Sequence, residues 1–246
     1  MVLRLTVGLI LLCQTPLACA GMILDGVSDT LYTEHAKLFP MVGKLGTGAG
    51  TLIAPHWVLT AAHVPDGNFT LGGVTYAAEQ VYRHPQFLLN GSNLNYGFDI
   101  ALVRLSTPVV GIAPAKIYTG SFELGAVISM AGYGATGVGS TGSPANPGTF
   151  RAGTNIVDLI QSTANGPAGQ IGAQNALLVT DFDALESFDP SGQTNSLGSE
   201  TPTDLEYHLA TFDSGGGAFL QENGEWYLAG VHSGVASQQG VTGSGS

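Results

Sequence analysis

Phe212-Asp213-Ser214-Gly215-Gly216-Gly217 sets one serine between an aspartate and three glycines, with apolar segments on both sides. Glycines let a backbone turn tightly and let a ligand come close to it. A serine on such a turn can present its hydroxyl outward, with its own N–H beside it. That suits a nucleophile, but an ordinary hairpin turn has the same composition. The stretch decides the fold only if a base and an orienting acid stand elsewhere in the chain.

The bulk numbers allow this. The chain has 246 residues, 44% of them hydrophobic, enough for one sizeable domain or two small ones sharing an interface. Its 36 glycines and 10% charged residues suit many short strands joined by tight turns. The formal net charge of −11 leaves no basic stripe to neutralise phosphates, which argues against nucleic acid as a partner. It argues equally against adhesion to anionic lipid.

The first twenty residues read as a signal peptide. Arg4 precedes an apolar run over 5–12, and Ala18-Cys19-Ala20 before Gly21 has the small-x-small pattern of a cleavage site. The run is shorter than the ~20 residues a spanning helix needs. Both cysteines, Cys13 and Cys19, lie in this segment, so the mature chain has no disulfide and must rest on its core. Export to the periplasm, the cell surface or the medium is expected, with cleavage near Ala20.

From residue 41 onward short apolar segments alternate with turn residues. Strands are predicted over 41–45, 50–53, 57–60, 69–71, 74–77, 80–83 and 99–105, and again over 127–131, 152–159, 176–180, 218–220 and 226–231. Residues 88–96, 132–148 and the acidic 181–204 read as loops. The tail 237–246 is Gln/Gly/Ser-rich, and no helical period longer than two turns stands out. This is an all-β pattern of the sandwich or barrel kind, and it restarts near residue 120. The expected organisation is a signal peptide over 1–20, one β-barrel over 21–120, a second over 121–236 and a Gly/Ser-rich tail.

A serine needs a neighbouring base to act at neutral pH, and histidine is the side chain that titrates there. The base works best when an acid holds its tautomer. Of the six histidines, only His63 ends an apolar strand with small residues behind it. Only Asp99 opens a strongly apolar strand, where its carboxylate is shielded.

Leu59-Thr60-Ala61-Ala62-His63, then Asp99-Ile100-Ala101-Leu102, then Asp213-Ser214-Gly215-Gly216 resemble the three catalytic motifs of chymotrypsin/trypsin-like serine proteases, in that family's order. The segments 48–53 and 230–234 resemble the strand before the histidine and the segment that pairs with substrate backbone. The resemblance spans about residues 22–236. The exported, cysteine-free mature chain and Asp181-Phe182-Asp183 look most like bacterial members.

The resemblance implies two perpendicular six-stranded Greek-key β-barrels with the active site between them, the second incomplete at its C-terminal end. It implies an endopeptidase acting on polypeptides as a monomer, without cofactor or metal. His63 would be the base, Asp99 its orienting acid, and Ser214 the nucleophile. The N–H groups of Phe212 and Ser214 would form the oxyanion hole. Ser233, Gly234 and Val235 would hold extended substrate. His208, six residues before Ser214, falls near the pocket floor. His232 matches a position where a histidine accompanies preference for acidic side chains; a buried, hydrogen-bonded histidine remains the alternative.

Four departures from the family accompany this. Phe212 stands where glycine is usual, and a bulky residue there is expected to strain the turn. Gly217 replaces a proline. Gly48 and Val64 occupy the two ends of a common disulfide. Residues 237–246 resemble neither the strand nor the helix that normally follows. In the family a freed N-terminal amine often pairs with the aspartate before the serine. Here Ile23-Leu24-Asp25-Gly26 resembles that N-terminus, but no propeptide separates it from Ala20, so Asp213 is expected to find another donor. The order His63, Asp99, Ser214 excludes an α/β-hydrolase.

Overall fold

The computed structural model describes residues 21–140, 142–145, 148–166, 170–188, 197–198 and 201–234. The predicted signal peptide, Val235 and the Gly/Ser-rich tail lie outside the described residues. Among the described residues no helix is long and apolar enough to cross a membrane.

The first half opens with β1 (Met22–Ile23) and the helix α1 (Asp29–Ala36), then runs through β2 (Val42–Leu45), β3 (Gly48–Ala54), β4 (Trp57–Thr60), β5 (Phe69–Leu71), β6 (Val74–Tyr76), β7 (Ala78–Arg83), the short helix α2 (Pro85–Leu89) and β8 (Ala101–Leu105). The second half holds β9 (Lys116–Ile117), β10 (Val127–Gly132), β11 (Thr136–Val138), β12 (Gly142–Ala145), β13 (Arg151–Ile156), β14 (Leu159–Gln161), β15 (Leu177–Val179), β16 (Tyr207–His208), β17 (Gly217–Glu222) and β18 (Glu225–Val231).

Seven strands of the first half form one sheet in the order β6-β5-β2-β3-β4-β8-β7, every pair antiparallel. It curls into a near-closed barrel. Alternation gives the barrel its inner face: in β8, Ala101, Val103 and Leu105 point inward while the residues between them face out. Val103 and Leu105 meet Leu45, Leu52, Val58, Phe69 and Leu71 in one buried cluster, while Ala101 packs with Ala62 and Phe87.

The second half is built on a sheet of order β13-β10-β17-β18-β9. Its core gathers Ile128, Met130, Tyr207 and Leu220 with Ile23 and Tyr32 from the start of the chain. Phe39 stacks on Phe219 at 4.5 Å between ring centres and meets Trp226 edge-on. The chain's beginning is thus packed on its later half.

The 132–148 segment, read as a loop, carries β11 and β12. They form a four-stranded sheet of order β12-β11-β1-β16, in which the two residues of β1 are the inner strand between β11 and β16. Nothing local in a Gly/Ser-rich sequence announces a strand whose partner comes from the far end of the chain. The predicted loop over 88–96 begins inside α2, where Pro85 starts the helix and the His84 side chain accepts from Gln86 N at 3.2 Å.

Sheet order places the site. β4 and β8 are antiparallel neighbours with Thr60 opposite Ala101. The chain leaving β4 and the chain entering β8 therefore lie at the same end of the barrel. His63 is three residues past Thr60 and Asp99 two before Ala101, so both reach that end.

Candidate active site

Asp99 and His63 meet there. The His63 ring, at Nδ1, lies 2.7 Å from Asp99 Oδ2, and the His63 backbone N–H donates to Oδ1 at 2.8 Å. Both carboxylate oxygens are therefore spent on one residue, fixing its ring and its backbone together. The Asp99 side chain is 3% exposed and that of His63 29%. Burial alone would raise the Asp99 pKa, but hydrogen bonds from the His63 ring, the Ser233 hydroxyl and the His63 N–H bring it below the usual value. With Nδ1–H donated to Asp99, the Nε2 lone pair of His63 is left to accept a proton.

Ser233 adds a role that the sequence did not reveal. Its hydroxyl donates to Asp99 Oδ2 at 2.6 Å. Ser233 follows β18, and Asp99 precedes β8, so this bond joins the two halves at the acid.

Ser214 lies on the turn before β17, and that turn is tied on every side. Asp213 N donates to Ala210 O at 2.9 Å, Gly215 N to His232 O at 2.7 Å and Gly216 N to Asp213 O at 2.9 Å. The Ser214 carbonyl accepts from Ala49 N of β3 at 2.8 Å, which joins the serine to the barrel that carries His63. Gly48 is the point of closest approach: a Cβ there would stand 2.5 Å from Ser214 O and 3.1 Å from a Val64 methyl. Gly48 and Val64 thus do face each other. Gly215, at φ +84°, has Ala49 O and Thr60 Oγ1 where a side chain would begin. Among the described residues no hydrogen bond joins Ser214 Oγ to the His63 ring. Such bonds often tighten only when substrate is bound.

The N–H groups of Phe212 and Ser214 have no acceptor among the described residues. Two unspent donors flanking a serine are what an oxyanion requires. Phe212 adopts φ +76° with its side chain 38% exposed. A side chain at positive φ crowds the backbone and costs ~1–2 kcal/mol. Phe212→Gly should therefore stabilise the fold by about 1 kcal/mol, read as a higher urea midpoint; an unchanged or lower midpoint would show that the phenyl ring repays the strain through its contacts.

Asp213 is fully buried, and its carboxylate accepts from Gly134 N at 2.7 Å, Tyr207 Oη at 3.0 Å and Ala210 N at 3.0 Å. These are the other donors that the sequence led us to expect. Burial nonetheless pushes its pKa up to about 7. Gly21 lies against the same pair, since a Cβ there would stand 3.3 Å from Asp213 Oδ2.

A cavity of about 100 Å³ opens beside the serine, lined by Leu209, Ala210, Thr211, Ser214, His232, Ser233 and Gly234. His232 is 3% exposed, and neither ring nitrogen has a hydrogen-bond partner among the described residues. Its Nδ1 would stand 2.7 Å from a Cβ on Gly216. Burial pulls its pKa down to about 4, opposed by the nearby Asp213 carbonyl. His208 sits elsewhere: it pairs with Met22 in the sheet, its Nδ1 lies 3.0 Å from Leu209 O, and it does not line this cavity. Burial lowers its pKa too. A second cavity of about 370 Å³ reaches Asp99 and Ser233 from behind, between Ile100, Tyr118, Leu177 and Val231. Among the described residues no cluster of three or more His, Cys, Asp or Glu could hold a metal ion.

Known proteins were compared with this chain. The profile of the family described as Trypsin matches residues 32–159, which include His63 and Asp99. The beta-fibrinogenase brevinase of Gloydius blomhoffii is 36% identical over 122 residues, 44% of this chain and 52% of that protein. The snake venom serine protease ussurase of Gloydius ussuriensis is 34% identical over 125 residues, 46% and 53% of the two chains. The inactive snake venom serine proteinase 13 of Crotalus adamanteus is 28% identical over 144 residues, 54% and 55%. The chain spans about half the length of the curated relatives it matches. The crystal structure of the Rv3671c protease in its inactive form superposes with a TM-score of 0.49 at 18% identity, over 87% of this chain and 88% of that one. With more than half of its residues inside the family match, the chain belongs to the trypsin-like serine protease family.

Proposed function

We propose that the chain is an exported serine endopeptidase of the bacterial type, its second half being the family's second barrel. The observation that carries this is the double grip of Asp99 on His63, which leaves the Nε2 lone pair free to act as a base. Ser214 Oγ would attack the scissile carbonyl carbon while its proton passes to His63 Nε2. The carbonyl oxygen gains the charge and is met by the N–H groups of Phe212 and Ser214. Collapse breaks the C–N bond, and the amine leaves with the proton from His63. Water then attacks the acyl-enzyme, giving a proton to Nε2, and Ser214 leaves with it.

A fluorophosphonate should label the wild-type chain at Ser214 and leave Ser214→Ala unlabelled. A folded wild-type protein that takes no label would overturn the reading and leave a binding protein on this scaffold.

His232 supports a preference for acidic side chains before the cleaved bond. A buried imidazole with both nitrogens unspent, in a cavity that also meets Ser214, offers a partner to a carboxylate. Its pKa of about 4 keeps it neutral in the free protein, so a glutamate would enter together with a proton. Catalytic efficiency on Glu substrates should therefore decline as pH rises, and His232→Leu should lower it by ~100-fold. A peptide library cleaved without acidic preference at any pH would end this part.

Activation by trimming to Ile23 is not needed in this reading, because Asp213 already has three donors. Ile23 found as the first residue of the mature protein by mass spectrometry would overturn that.

A further inference from the structure

Arg83 ends β7 and pairs with Ala101 at the start of β8. Its side chain leaves the sheet and reaches the turn that carries His63. Nε donates to Ala62 O at 2.8 Å, and Nη2 lies 3.5 Å from Val64 O and bonds to Asp66 Oδ1. The guanidinium thus touches the carbonyls on both sides of His63. It is largely shielded, its side chain 26% exposed.

The bond to Ala62 O has a specific consequence. The Ala62 C=O and the His63 N–H belong to one planar peptide unit. Its N–H end donates to Asp99 Oδ1 at 2.8 Å, and its C=O end accepts from Arg83. One rigid plane is held at both ends by opposite charges, Arg83 at the end of β7 and Asp99 just before the neighbouring β8. Neither contact alone stops the plane from rocking about the other. Withdrawal of electrons toward the guanidinium also makes the N–H a better donor to Asp99. The turn has no covalent anchor, since the mature chain has no cysteine and Val64 faces Gly48.

We propose that Arg83 is a positioning residue: it fixes the peptide plane before His63, and with it the aim of the imidazole at Ser214, where no disulfide does so. This rests on the peptidase reading. Arg83 does not line the cavity beside Ser214, so its loss should act on kcat and spare KM.

Wild type is first shown to react with the fluorophosphonate, and kcat and KM are then measured for R83M, R83K and R83A. R83M should lose about 10- to 100-fold in kcat with KM unchanged, the scale of a misaimed catalytic group. R83K should recover part, because an ammonium reaches one carbonyl at a time. Guanidinium ion at tens of millimolar should restore R83A severalfold. A folded R83M with kcat within about twofold of wild type, or a change in KM alone, overturns the proposal. If R83M does not fold, D66N, altered at the exposed outer anchor, should lose severalfold in kcat; unchanged kcat in D66N and R83K also overturns it. If wild type takes no label, the peptidase reading fails by itself, and the grip is read by NMR instead. The low-field Nδ1–H proton of His63 should exchange at least about tenfold faster in R83K than in wild type; equal exchange rates overturn the proposal.

Discussion

Asp99→Asn should lower kcat by ~10⁴-fold while the protein stays folded. The reason is the tautomer. Asp99 Oδ2 accepts from His63 Nδ1 and also takes the Ser233 hydroxyl at 2.6 Å. An asparagine that keeps its oxygen toward the His63 N–H at Oδ1 turns its NH₂ toward Nδ1. Two donors cannot face each other, so the ring proton moves to Nε2, and the base that Ser214 needs is gone. The alternative flip keeps an oxygen on Nδ1 and the Ser233 hydroxyl, but it sets the NH₂ against the His63 backbone N–H, again two donors facing each other. Hydrolysis of a peptide ester under saturating substrate measures the loss. A variant within tenfold of wild type would mean that Asp99 does not set the tautomer. Ser233→Ala removes one donor to Asp99 Oδ2 and should cost about tenfold or less.

Stability should fall as pH rises from about 5 to 8, against the usual behaviour of paired carboxylates. Glu206 and Asp213 are 1% and 0% exposed, and burial pushes their pKa values up to about 8 and about 7. Between a carboxyl's ordinary value and its raised one, the folded chain keeps a proton that the unfolded chain has released. Each such group removes ~1.4 kcal/mol of stability per pH unit across that window. Glu206 accepts from Thr203 N at 2.9 Å and Thr203 Oγ1 at 2.8 Å, bonds that oppose burial without overcoming it. Self-repulsion at a net charge of −11 acts in the same direction, so the bare trend is not diagnostic. Glu206→Gln separates the two. It removes one buried titration and one of many charges, and should flatten the decline of the urea midpoint above pH 5 by about one proton's worth. A midpoint that rises between pH 5 and 8 would sink the account. Asp99 works the other way, but only below the ordinary carboxylate range, where its depressed pKa costs stability as pH falls.

How much of this could be read from the chain alone depends on the range of each interaction. β5 (Phe69–Leu71) lies where alternation placed it, because its burial pattern is set by its own three residues. His63 and Asp99 were legible because each sits at the edge of an apolar strand, and antiparallel neighbours bring such edges together. The bonds of Ser233 to Asp99 and of Arg83 to Ala62 were not. Each joins a side chain to a segment whose adjacency the sequence does not state, and serine and arginine at those positions look like any polar residues. Phe212 was legible as a departure from a motif, while its left-handed backbone needed coordinates. The strands over 136–138 and 142–145 were missed for the converse reason: β11 pairs with β1, which is too short to carry a periodic signal, and β12 rests on β11.

The two-residue strand Met22–Ile23 has a consequence for how the protein comes to exist. It is among the first residues of the described chain to be made, while Tyr207 and His208, which it pairs with, are among the last. The seven-stranded sheet closes within residues 42–105 and can condense during synthesis; the second half has to wait, with its earliest segment unclaimed. Contacts so distant in sequence are late and slow to form. Ala49 likewise has no Ser214 carbonyl to bind until that wait is over. A nascent chain is therefore obliged to travel most of its length before the turn around Ser214 can dock on the barrel that carries His63.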